Sequence, residues 1–539
     1  MKNVVFKYLW FIIALVIALI VQLYWFSSLS LNDLENFFTS DTLTLPSLYR
    51  DWFEDGYSIN GWTLNAAPNF FPDMLLFFVL NFITKNYILA SFWFPLIQFF
   101  AIIMLCYWIF KTINSNLLPA TFAPAIFLCT SFLFVLFIDK CFWKSMLINT
   151  NSFHNGAFVM TLACLLLFFL YLRKESKVSI GALIVIVAIS APSDRLFFIS
   201  FLVPLFLSII VLYILNFERK KMMKLFLFLL IGGLLGFGLW YFCKHNSIFV
   251  IARSYGEITS ENIISSWNIL WEQMYIYLTD RWIFGFLIIL CSITYIGTIC
   301  YIISNLISTK WKTQEKGFVF IFQLFILFFT PVVFFAPVLA GSYGGYDTFR
   351  YNLFPFILLP FNSILLISHW LDKNKIARLI VNLIPASLII VFFAIHLPKH
   401  SFIKGFQQYS SFYSAVAQSF DDYFENTDTI IYCVSNDYWL AKKLTFFSKK
   451  GIRSYFVFDC GTPWLHATNK HWFIFHDKGK YAHCEFTYII WEESKELPVF
   501  FKNANPDTQP VKIAGYNLYK VVPFRFTETN WHEPILINN

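Results

Sequence analysis

The sequence predicts an all-α polytopic membrane bundle followed by a small C-terminal α/β domain outside the membrane. Hydrophobic residues make up 58% and aromatic residues 21% of the chain, and the mean hydropathy is +0.61. Soluble domains usually contain roughly 45–50% apolar residues. Apolar runs of about 18 to 25 residues, the length that crosses about 30 Å of hydrocarbon, recur up to residue 397. We therefore divide the chain into a transmembrane domain, 1–397, and a soluble domain, 398–539.

The membrane segments follow from hydropathy, and we expect about eleven crossings from roughly 10–13 helices. Apart from the region 71–110, the predicted spans are 8–29, 117–138, 155–172, 178–193, 196–216, 223–243, 282–308, 317–340, 351–370 and 378–397. The region 71–110 has two apolar pieces separated by Lys85 and Asn86. Two crossings there would turn every later basic loop outward, so we expect one crossing, with the other piece at the interface or entering and leaving on the same side.

Basic connectors set the predicted orientation. Four of them, "RKESK", "ERKKMMK", "KWKTQEK" and "DKNKIAR", follow alternate crossings, and the positive-inside rule assigns them and the N-terminus to the cytoplasm. The soluble domain is then extracytoplasmic. Most of the net charge of +8 lies in these loops, so we expect the membrane as a partner and no nucleic acid. High Phe, Ile, Lys and Asn content is typical of an AT-rich bacterial genome, which predicts the bacterial inner membrane and a periplasmic soluble domain.

The soluble domain has the pattern of a small α/β unit. A strand is predicted at 429–434, an amphipathic helix at 437–451 that ends at Gly451, and a second strand at 453–458. Further strands are predicted at 471–476, 486–491 and 516–522. The domain contains no G-x-G-x-x-G, P-loop or G-x-S-x-G sequence, so no chemistry of its own is predicted.

The loop after the first crossing is acidic. Pro46 suits the first turn of a helix, and the apolar residues that follow have helical spacing, which predicts an amphipathic helix lying flat in the interface. On that helix Asp51, Glu54 and Asp55 face solvent, whereas Asp41 precedes it. Asp33 and Glu35 lie at the outer end of the first crossing.

Other polar residues lie at the predicted outer boundary of the bundle. An ionisable group costs about 2.5–3.5 kcal/mol at the membrane centre and less near the boundary, where it can serve a binding site. The residues concerned are Asp194 and Arg195 in "APSDRLFF", Tyr346, Asp347 and Arg350 in "GSYGGYDTFRYNLFPF", Arg253 after "IFVIA", and His154 before a predicted span.

The first loop resembles that of the integral-membrane glycosyltransferases of the C superfold, such as the protein O-mannosyltransferases and the lipid A aminoarabinose transferases. The resemblance consists of an N-terminal crossing, an acidic motif, a short amphipathic helix ending in an acid–glycine pair, and an apolar segment marked by proline. Here these read "SDTLTLPSLYRDWFEDG" and "NGWTLNAAPNFFPDMLLFF". Asp41 matches the family's acidic residue, Thr42 replaces the second acid of the pair, and the family's double proline is split into Pro68 and Pro72.

The resemblance implies transfer of a sugar from a polyprenyl-phosphate lipid to an acceptor on the external face. Such chemistry needs a carboxylate as base or metal ligand and cations that hold the departing phosphate. Asp41 is then the catalytic residue. The substrate-binding residues would be Asp194, Arg195, Arg253, Tyr346, Asp347 and Arg350, and a divalent cation could be held by Asp41, Asp33, Glu35 or His154. We expect Asp41, Arg195 and Arg350 to converge on one external cavity.

Three other functions remain open from the sequence. A transporter or flippase of a lipid-linked or anionic substrate would also use arginines that face a cavity, but it has no need of the acidic first loop. An oligosaccharide polymerase or ligase would use external arginines without Asp41. A scaffold that has lost activity is compatible with Thr42.

Overall fold

The computed structural model describes residues 2–138, 149–150, 154–246, 248–252, 258–279, 282–308, 314–344, 346–396, 401–474, 485–504, 509–527 and 535–537. In chain order its helices are α1 Lys2–Ser27, α2 Leu31–Phe37, α3 Thr44–Arg50, α4 Leu75–Thr84, α5 Tyr87–Ile113, α6 Pro119–Ile138, α7 Asn155–Lys174, α8 Lys177–Ser190, α9 Arg195–Ile214, α10 Arg219–His245, α11 Ser260–Thr279, α12 Trp282–Ser308, α13 Gln314–Leu339, α14 Leu353–Lys373, α15 Lys375–His396, α16 Phe402–Ser410, α17 Ala415–Tyr423, α18 Tyr438–Phe447 and α19 Val499–Asn503.

The strands, in the same order, are β1 Trp62–Leu64, β2 Val250–Ile251, β3 Ile431–Ser435, β4 Ile452–Phe456, β5 Thr468–Asn469, β6 Phe486–Glu492, β7 Val511–Ile513, β8 Tyr516–Arg525 and β9 Ile535–Leu536.

Nine helices in the described part of the chain are long and apolar enough to cross a membrane, namely α1, α5, α7, α9, α10, α12, α13, α14 and α15. The predicted class, a helical membrane protein with a small C-terminal sheet, is therefore confirmed. The predicted count of eleven crossings further requires that α6 and α8 cross, and it stays a prediction. One difference concerns the predicted loop 244–281, which contains the helix α11, packed against α12 and α13.

The region 71–110 folds as a helical hairpin. A one-turn π-helix, Phe70–Met74, leads into the short helix α4, and α5 begins three residues after α4 ends. The Asn86 side chain accepts hydrogen bonds from the amides of Ile88 and Leu89, at 2.9 and 3.2 Å, and so caps α5. The hairpin thus has one long helix and one short one, which is the arrangement expected for a single crossing.

Contacts join two of the four basic connectors, "RKESK" and "ERKKMMK". Arg173 Nη1 donates to the carbonyl of Thr112 at 3.0 Å, where α5 ends. Lys221 Nζ lies 3.0 Å from a carboxylate oxygen of Glu175 and donates to the carbonyl of Leu172 at 2.8 Å. Connectors that the sequence assigns to the same side therefore touch each other.

The C-terminal domain is built on a mixed sheet with the strand order β4-β3-β6-β8-β7, and β9 pairs with β8. Strand β3 is parallel to both β4 and β6, and α18 connects β3 to β4. The predicted β–α–β unit and the strands near 486–491 and 516–522 are present. The strand predicted at 471–476 is wrong at its start, because Lys470–Trp472 forms a 3-10 turn and the buried Trp472 indole N–H has a polar partner in the first loop. Ile474 forms an isolated parallel β-bridge with Phe526, and residues 475–476 lie outside the described residues.

The first loop packs against the C-terminal domain. Its β1 strand pairs in parallel with β2 and antiparallel with β5 of the C-terminal domain, in a three-stranded ribbon. Helix α3 continues as a π-helix, Asp51–Asp55, which ends at Gly56 with a φ of 75°. The polar side of this helix packs against the domain, so the expected solvent exposure is found for Glu54 but is wrong for Asp51 and Asp55, which are buried.

Candidate functional site

Two acidic residues of the first loop make structural contacts. Asp33 forms a capping box with Ser30 at the start of α2: its carboxylate accepts from the Ser30 amide at 2.9 Å, and its own amide donates to Ser30 Oγ at 3.1 Å. Glu35 accepts from the amide of Ala415 at 2.7 Å and pairs with Lys443 Nζ at 3.3 Å. Asp33 thus stabilises the loop itself, and Glu35 ties it to the C-terminal domain.

No group of three or more His, Cys, Asp or Glu side chains suited to a metal ion occurs among the described residues. The candidate ligands Asp33, Glu35, Asp41 and His154 separate into different environments, since His154 lies at the start of α7. The divalent cation stays a prediction.

Asp41 lies beside a buried lysine. Lys442, on α18, is only 4% exposed, and its Nζ donates to the carbonyl of Ser40 and to Thr44 Oγ1, each at 3.2 Å. Burial lowers the pKa of Lys442 to about 7, and the nearby carboxylates of Asp41 and Asp51 oppose that shift. The loop that carries Asp41 is therefore attached to the C-terminal domain by a buried amine.

Asp51 is held by the segment that contains β5. Asn469 Nδ2 donates to one carboxylate oxygen at 2.8 Å, and the Trp472 indole N–H lies 3.0 Å from both oxygens. Burial, assisted by the nearby carboxylate of Asp55, raises the pKa of Asp51 to about 7 against these hydrogen bonds. Asp55 pairs with Arg50 Nε at 3.3 Å, and Arg50 Nη1 reaches the carbonyl of Thr445. These contacts show that the helix Thr44–Asp55 is a docking element for the domain.

A second polar group, which we call the carboxylate–histidine cluster, consists of Asp73, Gln98, His154 and Asp194. His154 Nδ1 lies 2.6 Å from Asp194 Oδ2. Gln98 Nε2, on α5, donates to Asp73 Oδ1 at 2.6 Å. Both carboxylates are buried, with 2% and 3% exposure, and they lie near enough to repel each other. Buried like charges need compensating donors, which the cluster supplies.

Local backbone structure holds the two carboxylates side by side. Asp194 is the N-cap of α9 and accepts from the amide of Leu196 at 2.9 Å. Ser193 Oγ accepts from the amide of Phe71 at 2.8 Å and donates to the carbonyl of the same residue at 2.9 Å. The chain that leads to Asp73 is thereby fastened to the turn that carries Asp194.

Two aromatic and cationic side chains extend the cluster toward α14. The ring of Tyr351 lies 5.2 Å from that of His154. The Arg350 guanidinium lies over the Tyr351 ring at 5.2 Å, and its Nη2 is 3.4 Å from the tyrosine hydroxyl. Arg195 is exposed next to Asp194, in the first turn of α9. Arg195 is thus the sequence neighbour of Asp194, and Arg350 is connected to His154 through the ring of Tyr351.

The predicted site residues fall into these two groups. His154, Asp194, Arg195 and Arg350 belong to the carboxylate–histidine cluster or its edge, and Asp41 belongs to the contact with Lys442. Arg253 and the side chains of Tyr346 and Asp347 lie outside the described residues. The convergence of Asp41 with Arg195 and Arg350 stays a prediction.

The structure adds residues that were not singled out as site residues: Asp73, Gln98 and Lys442. Asp73 had a sequence signal, because it stands between Pro72 and a continuous apolar run and a carboxylate there needs a partner. Lys442 had none, since a lysine on an amphipathic helix is usually solvated.

No model of a known protein family matches the sequence, and a search of curated proteins finds no match.

We predict that Gly156→Ala destabilises the protein. A Cβ at position 156 would overlap the carboxylate of Asp73, whose partners fix its place. Overpacking of this kind costs about 1–3 kcal/mol, whereas alanine is normally better than glycine inside a helix by roughly 0.5–1 kcal/mol. The measurement is the thermal unfolding midpoint in detergent.

Gly181→Ala is the matched control, because a Cβ there meets no atom within 4 Å. We expect its midpoint to stay level or to rise. Equal behaviour of the two variants would show that Asp73 is free to move.

We also predict a pH-dependent difference between wild type and Asp51→Asn. Burial raises the pKa of Asp51 to about 7 in the folded protein, against 3.8 for a solvent-exposed aspartate side chain. The contribution of Asp51 to the free energy of unfolding is therefore fully present below pH 3.8. It falls as the pH rises toward 7, by up to about 4 kcal/mol. Thermal midpoints measured from pH 4 to 7 should fall more steeply for wild type than for Asp51→Asn.

Glu54→Gln is the control for that series, because Glu54 is an exposed acid on the same helix. Its curve should run parallel to wild type. Lys442 affects stability in a different pH range. Because its pKa is lowered from 10.5 to about 7 in the folded protein, its contribution to the free energy of unfolding increases as the pH rises from about 7 to 10.5. Parallel curves for wild type and Asp51→Asn between pH 4 and 7 would contradict the burial of a protonated Asp51.

Proposed function

We propose that the protein is a membrane glycosyltransferase that moves a sugar from a polyprenyl-phosphate lipid to an acceptor on the external face. The observation that carries this proposal is the carboxylate–histidine cluster with Arg195 and Arg350 beside it. A carboxylate–imidazole pair can accept the proton of an acceptor hydroxyl, and guanidinium groups can hold a phosphate by charge-assisted hydrogen bonds.

In this proposal the reaction needs one base and one anion site. The acceptor hydroxyl loses its proton to the base as its oxygen bonds to the sugar's anomeric carbon. The bond from that carbon to the phosphate oxygen breaks, and the departing polyprenyl phosphate takes the electron pair. Arg195 and Arg350 would stabilise the phosphate. A divalent cation bound with the lipid phosphate would add to this stabilisation.

Two groups are candidates for the base. Asp41 is the one that the family resemblance implies, and its partial exposure is compatible with access by an acceptor. The His154–Asp194 pair is the alternative, since the 2.6 Å contact lets the carboxylate orient the imidazole. The experiment below separates them.

We further propose that α6 and α8 complete eleven crossings, with the N-terminus in the cytoplasm of a bacterial cell and the C-terminal domain in the periplasm. The contact of Lys221 with Glu175 supports this orientation, because it places two of the four basic connectors on the same side. The C-terminal domain and the cell envelope substrate would then share the opposite side.

The test uses the full chain in proteoliposomes with a panel of polyprenyl-phosphate hexoses labelled in the sugar. The measured quantity is loss of label from the lipid in the presence of cell-envelope acceptor extract. We expect wild type to consume at least one donor. Loss of a general base should reduce the rate by about 10²–10⁴-fold, either in Asp41→Asn or in both His154→Gln and Asp194→Asn.

Glu54→Gln is the matched control, because it removes one carboxylate charge from an exposed position on the same loop. Its rate should stay within about twofold of wild type. If the lipid crosses the bilayer while its sugar stays attached, the protein is a carrier and the transferase proposal is wrong. If all three base variants keep the wild-type rate, neither group is the base.

A further inference from the structure

The carboxyl edge of the C-terminal sheet has the architecture of a ligand site. Strand β3 lies between β4 and β6 and is parallel to both. Helix α18 connects β3 to its neighbour β4 on one side. The chain after β4 then passes β3 and forms β6 on the other side. In open α/β sheets, ligands bind outside the carboxyl ends of strands at such a switch point.

Aromatic rings cover this edge. Trp464 lies 4.9 Å from Tyr438, 5.2 Å from Phe456 and 5.7 Å from Phe458, measured between ring centroids. The His466 ring is nearly parallel to Trp464, at 4.8 Å and 13°. We call these five residues the aromatic platform.

The platform reaches the surface. Phe458 is 43% exposed and the adjoining Trp439 is 46% exposed. Adjoining exposed aromatic rings on a water-soluble domain mark interaction surfaces. Their faces suit the apolar C–H faces of sugar rings, because an aromatic face carries negative charge density and attracts polarised C–H groups.

Polar side chains stand directly beside the platform. Asp459, next to Phe458 in the chain, accepts from Asn436 Nδ2 at 3.0 Å and pairs with Lys495 Nζ at 3.3 Å. Lys495 also pairs with Glu492 Oε1 at 3.2 Å, at the end of β6. These amide, carboxylate and ammonium groups can donate to and accept from sugar hydroxyls.

The charge of this edge selects among ligands. Asp437, whose carboxylate accepts from the Tyr516 hydroxyl at 2.6 Å, adds a third acid to Asp459 and Glu492; of the lysines described near this edge, Lys495 pairs with Asp459 and Glu492, and Lys442 is buried. Such an excess of carboxylates repels phosphate-rich polymers and nucleic acids. A neutral saccharide has the apolar faces and the hydroxyls that this surface can satisfy.

The platform is continuous with the first loop. Ser40 Oγ donates to the carbonyl of Tyr438 at 2.5 Å, and Lys442, one turn further along α18, donates to the carbonyl of Ser40. Burial lowers the pKa of His466 to about 4, and the nearby charge of Lys442 contributes to this shift. Asp41 follows Ser40 directly, so a chain lying on the platform extends toward Asp41.

We propose that the aromatic platform binds a neutral oligosaccharide, which is the acceptor of the transfer reaction. The role as acceptor rests on the proposed glycosyltransferase function, whereas the binding itself does not. The glycan would stack on Phe458 and Trp464 and hydrogen-bond to Asp459 and Asn436.

The test measures binding of neutral hexasaccharides to the full chain in lipid nanodiscs. Maltohexaose, cellohexaose and chitohexaose are the probes, and a hyaluronan hexasaccharide is the anionic comparison. Titration calorimetry gives the dissociation constant, and saturation-transfer NMR shows whether aromatic protons contact the sugar. We expect at least one neutral probe to bind, at least tenfold more tightly than the anionic one.

Phe458→Ala should weaken this binding at least tenfold, and Asp459→Asn should weaken it about threefold or more. Trp271→Ala is the matched control, because Trp271 is 49% exposed on α11 and lies outside the platform. Circular dichroism and the unfolding midpoint verify that each variant is folded. Since Phe458 is already partly exposed, its truncation leaves a smaller cavity than that of Trp464.

The proposal is overturned if no neutral probe binds to wild type, or if Phe458→Ala binds as wild type does. The two proposals fail separately. Donor consumption without oligosaccharide binding removes the acceptor site and leaves the transferase intact. Platform-dependent binding without donor consumption removes the transferase and leaves a carbohydrate-binding domain.

Discussion

The burial of Lys442 against the first loop is the interaction on which the arrangement of the two domains depends. A buried ammonium group loses its hydration, and it is tolerated only where oxygen atoms and opposite charges replace the water. The carbonyl of Ser40, the hydroxyl of Thr44 and the nearby carboxylate of Asp41 take that place. Because all of these come from one short stretch of the first loop, the same contact that seats the C-terminal domain also sets the position of Asp41.

The carboxylates of the two candidate sites lie in different surroundings, and this difference separates the two candidates for the base. Asp41 is partly exposed and lies close to Lys442. Asp73 and Asp194 are buried together, where Gln98 donates to Asp73, and His154 and the Leu196 amide contact Asp194.

Local sequence patterns were enough for the parts of the fold that local forces decide. Hydropathy predicted the bounds of helices such as α7 and α12 within a few residues, because the ends of an apolar run are set by nearby residues and not by distant contacts. The β–α–β unit of the C-terminal domain was equally readable, since alternation, helical spacing and Gly451 all agreed there.

Contacts between distant parts of the chain explain the errors. Helical spacing assigned Asp51 to the wet side of α3, but its partners Asn469 and Trp472 lie more than 400 residues away in sequence. The same contact explains why the predicted strand does not begin at residue 471: the Trp472 indole points inward and donates to Asp51. His154 and Asp194 are 40 residues apart in sequence, and only the fold brings them together. Both were singled out from the sequence, whereas their pairing and the neighbouring Asp73 and Gln98 were not.

The long helix α5 gives the molecule a mechanical property as well. At its start, the Tyr87 hydroxyl donates to the carbonyl of Phe446 in the C-terminal domain at 2.8 Å; about 16 Å further along the same helix, Gln98 holds Asp73. Pro95 lies between these two contacts and removes one backbone hydrogen bond from the helix, so the connection between the C-terminal domain and the buried carboxylate passes through a point where the helix can bend. The two contacts therefore need not move together as parts of one rigid rod.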